Sequence, residues 1–227
     1  MEHVLITGAS RGIGLELTHQ FLELGYEVTA TYRGQPSAKQ QALCRYSGLT
    51  LLELEVTSEE SIAKMAAHLA DKTLDIVINN AGIIGPDQQA FDSLEPTAWL
   101  DTLAINTVAP LMISRAVLAN LKRATNPRLV SISSSMGALS EESTGMYAYR
   151  SSKAALNKVM KLLATELKPQ GITVCPIHPG WVQTDMGGSS ASLTVTESAS
   201  GIIDVIRHLS LVQSGEFLTW CGERHPW

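Results

Sequence analysis

Residues 4–14 read Val4-Leu5-Ile6-Thr7-Gly8-Ala9-Ser10-Arg11-Gly12-Ile13-Gly14, and this stretch decides the fold class. The apolar run at its start is typical of a strand buried on both faces, and a helical pattern follows the glycines up to Gly25. Strand, glycine-rich turn and helix in this order bind a dinucleotide through backbone amides and the positive end of the helix dipole. Because the spacing is GxxxGxG and not the standard GxGxxG, a glycine-rich turn that binds nothing remains an alternative here.

Strand-like and helical patterns alternate along the rest of the chain. Further strands are predicted at 27–32, 49–56, 74–80, 129–135, 173–177 and 217–220. Helices are predicted between them, including 99–121, 148–167 and 196–209, and Thr57 or Ser58 is the expected N-cap of the helix after the third strand. This alternation predicts a parallel sheet with helices on both faces. No linker or repeat interrupts it, so we expect one α/β domain over residues 1–227, a doubly wound Rossmann fold.

Composition and charge exclude several classes of protein. Of the 227 residues, 44% are hydrophobic and 17% are charged, which is enough for a substantial core. The net charge of -5 and the lack of a Lys/Arg-rich run argue against nucleic acid as a partner. Three scattered cysteines without CxxC spacing predict free thiols in a reducing compartment and no metal site. No leader pattern and no bilayer-spanning run is present, so we expect a cytoplasmic protein without a membrane partner.

The pentapeptide Tyr149-Arg150-Ser151-Ser152-Lys153 lies inside the helical pattern of 148–167. Positions i and i+4 share a helix face, so the phenol of Tyr149 and the ammonium of Lys153 can reach one point. A nearby cation favours the ionised phenol, and a pKa lowered by ~2–3 units would let Tyr149 transfer a proton near neutral pH. Taken alone, such a pair is more often a core aromatic beside a surface lysine, and the other motifs decide against that reading.

The end of the second predicted strand bears on the choice of nucleotide. An acidic residue near this point binds the ribose 2′-hydroxyl of NAD, whereas arginine suits the 2′-phosphate of NADP. The chain has Arg33 here and no Asp or Glu at positions 31–33, and Arg11 in the glycine turn is a second cation that could reach the same phosphate. The sequence therefore favours NADP over NAD, with ordinary surface charge as the alternative for both arginines.

Four motifs together resemble the short-chain dehydrogenase/reductase family. They are residues 7–14 quoted above, Asn79-Asn80-Ala81-Gly82, Tyr149-Arg150-Ser151-Ser152-Lys153 and Pro179-Gly180-Trp181-Val182-Gln183-Thr184, in the family's order and approximate spacing. The match spans nearly the whole chain. Residues 181–188 and 222–227 resemble the carbonyl reductase and C-factor-like branch. The resemblance implies a seven-stranded parallel sheet and a catalytic Asn-Ser-Tyr-Lys group.

By this resemblance the catalytic residues are Asn106, Ser134, Tyr149 and Lys153. Ser133 and Ser135 are the neighbouring candidates, and Ser134 is selected because the family serine usually stands three residues before a glycine, here Gly137. The interval from Ser134 to the tyrosine is longer than usual in the family, which we attribute to an extended turn at 141–145. His178 has no catalytic role in the family and is interpreted as structural.

The resemblance also implies which residues contact the cofactor. They are Gly8, Ser10, Arg11, Gly12, Ile13, Gly14, Arg33, Glu55, Val56, Asn80, Ala81, Gly82, Tyr149, Lys153, Pro179, Gly180, Val182 and Thr184. Glu55 stands where the family commonly has Asp, which changes the side-chain contact with the adenine but not the backbone contact. Thr184 fits the position that bonds the nicotinamide carboxamide.

These residues predict an NADP(H)-dependent oxidoreductase, with NAD(H) possible, that interconverts a small carbonyl compound and its alcohol. We expect Tyr149 to act as the general acid or base, with Lys153, Ser134 and Asn106 assisting. The expected substrate pocket is apolar and formed by segments 136–146 and 180–195, and the family implies a homodimer or homotetramer. The alternative is a dinucleotide-binding signalling or redox-sensing protein with little turnover, as in the C-factor-like branch.

Overall fold

Seven parallel strands form the centre of the molecule, and the computed structural model describes all 227 residues. The strands are β1 (His3–Ile6), β2 (Glu27–Tyr32), β3 (Leu49–Glu53), β4 (Ile76–Asn79), β5 (Arg128–Ile132), β6 (Thr173–His178) and β7 (Leu218–Thr219). Their order in the sheet is β3-β2-β1-β4-β5-β6-β7, and every neighbouring pair is parallel. The predicted single-domain α/β Rossmann fold is confirmed.

Eight α-helices connect and flank the strands. They are α1 (Gly12–Glu23), α2 (Ala38–Ala42), α3 (Glu59–His68), α4 (Pro96–Leu103), α5 (Ala109–Ala116), α6 (Leu118–Leu121), α7 (Tyr147–Leu167) and α8 (Val195–His208). None of them is both long enough and apolar enough to cross a bilayer.

The sheet is buried on both faces by two separate groups of apolar side chains. Val4 and Ile6 of β1 point into the group that α1 and α8 cover, which contains Phe21 and Ile202. Leu5 points into the opposite group, which α3, α5 and α7 cover. Alternate residues of a strand face opposite sides of the sheet, so a strand covered on both sides must be apolar throughout. This explains the continuous apolar runs of the sequence.

The strand order reverses at the centre of the sheet, where β1 lies between β2 and β4. The chain moves outward from β1 to β3 and then returns to the other side of β1 as β4. The carboxyl ends of β1 and β4 are in register, with Ile6 beside Ile78. In open parallel sheets a crevice forms at this reversal, and ligands bind there. The fold therefore brings the glycine turn after β1 beside residues 80–82 after β4.

The predicted long helix of 99–121 differs most from the structure. It begins earlier, at Pro96, changes to a π-helical turn over Ala104–Val108, and its regular part ends at Ala116. Pro110 has no N–H to donate to the carbonyl of Asn106 four residues earlier, which removes one α-helical hydrogen bond. The N–H of Ala109 donates to the carbonyl of Ala104, the five-residue step of a π-helix.

Other predicted boundaries shift at the carboxyl edge of the sheet. The strands expected at 49–56 and 129–135 end earlier, at Glu53 and Ile132, because their last predicted residues leave the sheet and form loops. The strands expected at 74–80 and 217–220 are shorter at both ends. The short helix α2 was not predicted; Ser37 and Gln40 form a capping box at its start. Ser58, one of two predicted candidates, is the N-cap of α3.

Candidate functional site

The glycine turn after β1 forms the floor of the crevice. Gly8 and Gly12 have φ angles of 66° and 53°, in the left-handed region that favours glycine. A Cβ on Gly8 would lie 2.7 Å from the Cα of Ala81, and a Cβ on Gly14 would lie 2.3 Å from the side-chain nitrogen of Asn80. Glycine at these positions lets the turn pack directly against the loop that follows β4.

Asn80 and Thr7 fasten these two loops together. The Asn80 side-chain amide donates to the carbonyls of Thr7 and Gly8 at 3.0 and 2.9 Å. The backbone N–H groups of Asn80 and Ala81 both donate to the Thr7 hydroxyl at 3.1 Å. The Asn80 side chain therefore uses its amide N–H groups to hold the backbone of the glycine turn in place.

The start of α1 has the features of an anion site. Arg11 is its N-cap in an extended conformation and gives no side-chain hydrogen bond to the first turn. The first amides of a helix have no acceptor within the helix and, with the helix dipole, favour a phosphate there. This turn lies at the strand-order reversal. It is built from glycines, and a side chain at Gly8 or Gly14 would overlap neighbouring atoms. The residues present therefore fit the pyrophosphate of a dinucleotide.

Tyr149, Ser134 and Lys153 meet at the carboxyl end of β5. Tyr149 and Lys153 occupy the first two turns of α7, and the ammonium of Lys153 lies 5.9 Å from the centre of the phenol ring. All three side chains are buried, with exposed fractions of 8% for Tyr149, 8% for Ser134 and 5% for Lys153. The Lys153 Nζ donates to the carbonyl of Ile132 at 2.9 Å.

The expected lowering of the Tyr149 pKa is wrong for the protein on its own. Burial raises the pKa of Tyr149 above its ordinary value, and a hydrogen bond with Ser134 offsets part of this increase. Burial also lowers the pKa of Lys153 to about 8. Lys153 is hydrogen-bonded to Ile132, so its charge is turned toward a backbone carbonyl, and desolvation outweighs the attraction that we expected.

Gly137 lets the loop that carries Ser134, after β5, approach α7. Ser134 caps a short 3₁₀ turn over Ser135–Gly137 by accepting from the N–H of Met136 at 3.2 Å. A Cβ on Gly137 would lie 2.6 Å from the backbone carbon of Lys153. A glycine three residues after the serine is therefore a steric requirement of this contact.

Asn106 lies in the π turn and links three parts of the site. Its side-chain oxygen accepts from the N–H of Ile83 at 2.9 Å, and its nitrogen donates to the carbonyl of Ile83 at 2.8 Å. The same nitrogen donates to the hydroxyl of Ser152 on α7 at 3.0 Å. Gly82 lies between Asn106 and Lys153: a Cβ there would be 3.2 Å from the Asn106 oxygen and 3.6 Å from the Lys153 Nζ.

The loop after β6 closes the crevice from the other side. Pro179 accepts a hydrogen bond from Ser198 at the start of α8, and Gly180 has a φ of 84° and packs against Leu193. Val182 is buried. A Cβ on Gly12 would lie 3.3 Å from the Thr184 methyl group, so this loop meets the glycine turn.

Both arginines expected at a 2′-phosphate have acidic partners. Arg33 lies 3.7 Å from Glu55, so two predicted cofactor residues pair with each other at the ends of β2 and β3. Arg11 instead contacts Asp185 of the β6 loop at 2.5 Å, and both side chains are about three-quarters exposed. Arg11 thus spans the crevice; Asp185 was not predicted as a site residue.

The remaining predicted contacts are backbone or packing positions. The carbonyl of Ser10 accepts from the hydroxyl of Ser37, while Ile13 and Val56 pack their side chains against the two apolar groups. His178 accepts from the N–H of Ser135 at 3.2 Å through its Nδ1, and burial lowers its pKa to about 4. This contact is consistent with the structural interpretation of His178.

The two segments predicted to form the substrate pocket, 136–146 and 180–195, carry apolar side chains at the surface. Leu139, Trp181 and Met186 are exposed, and the indole nitrogen of Trp181 donates to the carbonyl of Gly187. Exposed large apolar groups beside a buried polar cluster are a common arrangement of small-molecule sites.

A glycine turn that fits a pyrophosphate, at the strand-order reversal of a parallel sheet and beside a buried Tyr-Lys-Ser group, is the arrangement expected of a nucleotide-dependent oxidoreductase. The family model for short chain dehydrogenases matches residues 2–193. The chain therefore belongs to the short-chain dehydrogenase/reductase family, and it is an NAD(P)-dependent oxidoreductase of that family.

Three individual proteins show which branch the chain resembles. The C-signal protein of Myxococcus xanthus is 37% identical over 163 residues, covering 71% of this chain and 98% of that protein. The carbonyl reductase Sniffer of D. melanogaster superposes with a TM-score of 0.95 at 35% identity, covering all of both chains. The NADPH-bound carbonyl reductase from chicken fatty liver gives 0.93 at 34% identity, covering 100% of this chain and 99% of that one. The predicted likeness to the carbonyl reductase and C-factor-like branch is confirmed.

Proposed function

We propose that this protein transfers hydride between NADP(H) and a small carbonyl compound or its alcohol. The observation that carries the proposal is the burial of Tyr149, Ser134 and Lys153 together at the carboxyl end of β5, beside the glycine turn. A phenol, a hydroxyl and an ammonium at one buried point provide what a carbonyl reduction needs from a protein, namely a proton and hydrogen bonds to the developing alkoxide.

The nucleotide is held by residues on both sides of the crevice. The glycine turn and the first amides of α1 bind the pyrophosphate, and Glu55 and Val56 line the adenine side. Residues 80–82 and the loop with Pro179, Gly180, Val182 and Thr184 line the nicotinamide side. When bound, the nicotinamide supplies or accepts the hydride, while placement and proton transfer belong to the protein.

Within the protein, each polar group has a defined role in the reaction. Ser134 donates a hydrogen bond to the substrate oxygen, and Tyr149 donates its proton to that oxygen as negative charge develops. Lys153 holds a positive charge near the phenol and binds the nicotinamide ribose. The π turn at Asn106 directs a backbone carbonyl that has lost its α-helical donor toward a water, which connects Lys153 to solvent.

NADP is the preferred nucleotide in this proposal. Arg33 stands at the end of β2, where a 2′-phosphate is read, and no carboxylate replaces it at positions 31–33. The carbonyl reductase of chicken fatty liver was solved with NADPH bound. NAD(H) is the alternative, because the Glu55 carboxylate, 3.7 Å from Arg33, offsets part of the positive potential that would attract a 2′-phosphate.

The decisive experiment is steady-state oxidation of NADPH with a panel of aldehydes, ketones and quinones, run in parallel with NADH. Tyr149→Phe should retain NADPH binding and lose at least ~100-fold in kcat, because the proton donor is removed without a change in shape. Tyr147→Phe, on an exposed phenol in the same helix turn, is the matched control. Turnover by Tyr149→Phe at the wild-type rate would contradict the assignment.

A second function is favoured by one observation, the 37% identity to the C-signal protein of Myxococcus xanthus. In this case the chain would bind a dinucleotide as a signalling or redox-sensing protein with little turnover. Both functions require nucleotide binding, so binding does not distinguish them. Absence of turnover with every carbonyl in the panel, together with measurable NADPH binding, would favour the second function.

Three further assignments belong to the same proposal. Segments 136–146 and 180–195 form the substrate pocket, where exposed apolar side chains favour an apolar small molecule. The protein forms a dimer or tetramer, and it works in the cytoplasm. Size-exclusion chromatography with light scattering tests the assembly.

A further inference from the structure

Helix α7 begins without a capping side chain of its own. Its N-cap residue is Met146, which has a left-handed backbone with a φ of 52° and makes no side-chain hydrogen bond to the helix. The third helical residue, whose N–H an N-cap side chain normally binds, is Tyr149. The residue proposed to transfer the proton therefore sits in the first turn, where helices fray unless capped.

Gln89 supplies the missing cap from a different part of the chain. Its Oε1 accepts from the N–H of Tyr149 at 2.9 Å, and its backbone carbonyl accepts from the N–H of Tyr147 at 3.2 Å. Its Nε2 donates to the carbonyls of Ile84 and Pro86, both at 2.8 Å. Only one orientation of the amide satisfies all of these partners, because the oxygen faces a donor and the nitrogen faces two acceptors.

The same loop is also held by Asn106. Both backbone polar groups of Ile83 bond to the Asn106 side chain, and Ile84 next to it bonds to Gln89. Gln89 is only 7% exposed, so this amide is a built part of the interior and not a surface contact. The loop after β4 thereby connects the π turn to the first turn of α7.

We propose that Gln89 is a positioning residue that fixes the first turn of α7, and with it the Tyr149 hydroxyl, relative to Ser134 and Lys153. This inference rests on the proposed function, since it assumes that the Tyr149 hydroxyl performs the proton transfer. Gln89 acts through the backbone of Tyr149 and does not itself contact the reacting atoms.

Kinetics of three substitutions test the inference with NADPH and a carbonyl that the wild type reduces. Gln89→Met keeps the shape and loses every side-chain hydrogen bond; kcat should fall about 10- to 100-fold, because a small misplacement of the phenol slows proton transfer. The KM for NADPH should change less than about threefold, because the glycine turn is not touched. Gln89→Glu keeps an acceptor for the Tyr149 N–H but turns a carboxylate oxygen toward the carbonyls of Ile84 and Pro86, so its kcat should fall at least as far as that of Gln89→Met.

Asn120→Ala is the matched control for stability. Asn120 is also a buried amide that donates to two carbonyls, those of Leu69 and Lys72. It lies near the amino ends of the strands, away from the candidate site. Its loss should lower the Tm by an amount similar to that of Gln89→Met and leave kcat unchanged. If Gln89→Met does not fold, Gln89→Asn replaces it, since the shorter side chain withdraws the oxygen from Tyr149 and should reduce kcat in the same way.

Two results would overturn the inference. The first is a kcat for Gln89→Met, or for Gln89→Asn, within about twofold of the wild type. The second is an equal loss of kcat in Asn120→Ala, which would make the effect one of general stability. A wild-type protein that reduces no carbonyl would instead overturn the proposed function, so the two failures can be told apart.

Discussion

At the scale of single residues, Lys153 combines a positive charge with nearly complete burial. Its pKa of about 8 lies well below the ordinary 10.5 because the ammonium is removed from water. Between these two pH values the unfolded chain keeps a proton that the folded protein has released. The free energy of unfolding should therefore rise with pH across this range as far as Lys153 is concerned, by about 3 kcal/mol at most.

Comparison with Lys153→Met isolates this contribution. The buried thiol of Cys175, whose pKa is raised to about 12, acts in the opposite direction above pH 9, and it is common to both proteins. We expect the stability advantage of Lys153→Met to be largest near pH 7 and to shrink as the pH approaches 10, measured by urea unfolding. Lys158→Met, on an exposed position of the same helix, is the control. A difference between wild type and Lys153→Met that is constant with pH would contradict the prediction.

Arg33 is the residue on which we expect the choice between NADP and NAD to depend. Arg33→Asp places a carboxylate where NAD presents a hydroxyl and NADP a phosphate, beside the existing carboxylate of Glu55. The ratio of kcat/KM for NADPH to that for NADH should fall about 10- to 100-fold, the value of one or two charge-assisted hydrogen bonds. Arg45→Ala, at an exposed arginine stacked on Tyr46, should leave the ratio unchanged. An unchanged ratio in Arg33→Asp would remove Arg33 from this role.

Pairing of individual side chains was the least predictable part of the site. The positions of Tyr149 and Lys153 on one helix follow from their spacing, but the bond from Lys153 to Ile132 depends on how α7 packs on β5. The contact between Arg11 and Asp185 joins residues 174 positions apart, which no local pattern relates. Gln89 stands in a stretch without periodicity, so nothing in the sequence marked it.

At the scale of elements, the strongest periodic patterns were predicted most accurately. Strand β2 has the predicted bounds, and α7 begins one residue before the predicted start and ends where expected. The helix of 99–121 was mispredicted because Pro110 removes the hydrogen bond to the carbonyl of Asn106. A periodic apolar pattern gives no sign of such a loss. The strands expected to extend beyond Glu53 and Ile132 end early because their carboxyl ends turn into site loops. The predicted strand ends were therefore least accurate where the chain leaves the sheet to form the loops of the candidate site.

The close contact between the Ser135–Gly137 turn and α7 gives an element-scale prediction. Gly137→Ala should destabilise the protein by about 2–4 kcal/mol, because the new methyl group would overlap the backbone of Lys153 and force the two elements apart. It should also reduce kcat by moving Ser134 away from Tyr149. Gly34→Ala, with a φ of 73° and no atom near the added methyl group, should cost only about 1 kcal/mol of backbone strain. Equal stability losses in urea unfolding would contradict the prediction.

At the scale of the whole molecule, the site is assembled from the carboxyl ends of six strands, β1 to β6. The family, the sheet and the position of the crevice could all be predicted from the order of motifs, because parallel βαβ units allow few topologies. The shape of the substrate pocket could not, since it depends on loops whose side chains are set by tertiary packing.

Because these six strand ends come together only in the folded chain, NADPH should bind the native protein and not the unfolded one. At a concentration 100 times its Kd, NADPH should raise the free energy of unfolding by about 2.7 kcal/mol. NADH at the same concentration should raise it less, as measured by thermal or urea unfolding. An equal increase with both nucleotides would argue against selection of the 2′-phosphate.

The pairing of β1 with β4, which is synthesised much later, has a consequence for biosynthesis. A nascent chain that has left the ribosome only as far as residue 75 can pair β1 with β2 and β2 with β3, but the other edge of β1 has no strand beside it. That edge presents the unpaired backbone N–H and C=O groups of a strand in which Val4, Leu5 and Ile6 are apolar, and such open edges recruit other chains into aggregates. Translation pauses and truncations before β4 should therefore yield insoluble fragments that depend on chaperones, whereas interruptions after β5 leave both edges of β1 covered.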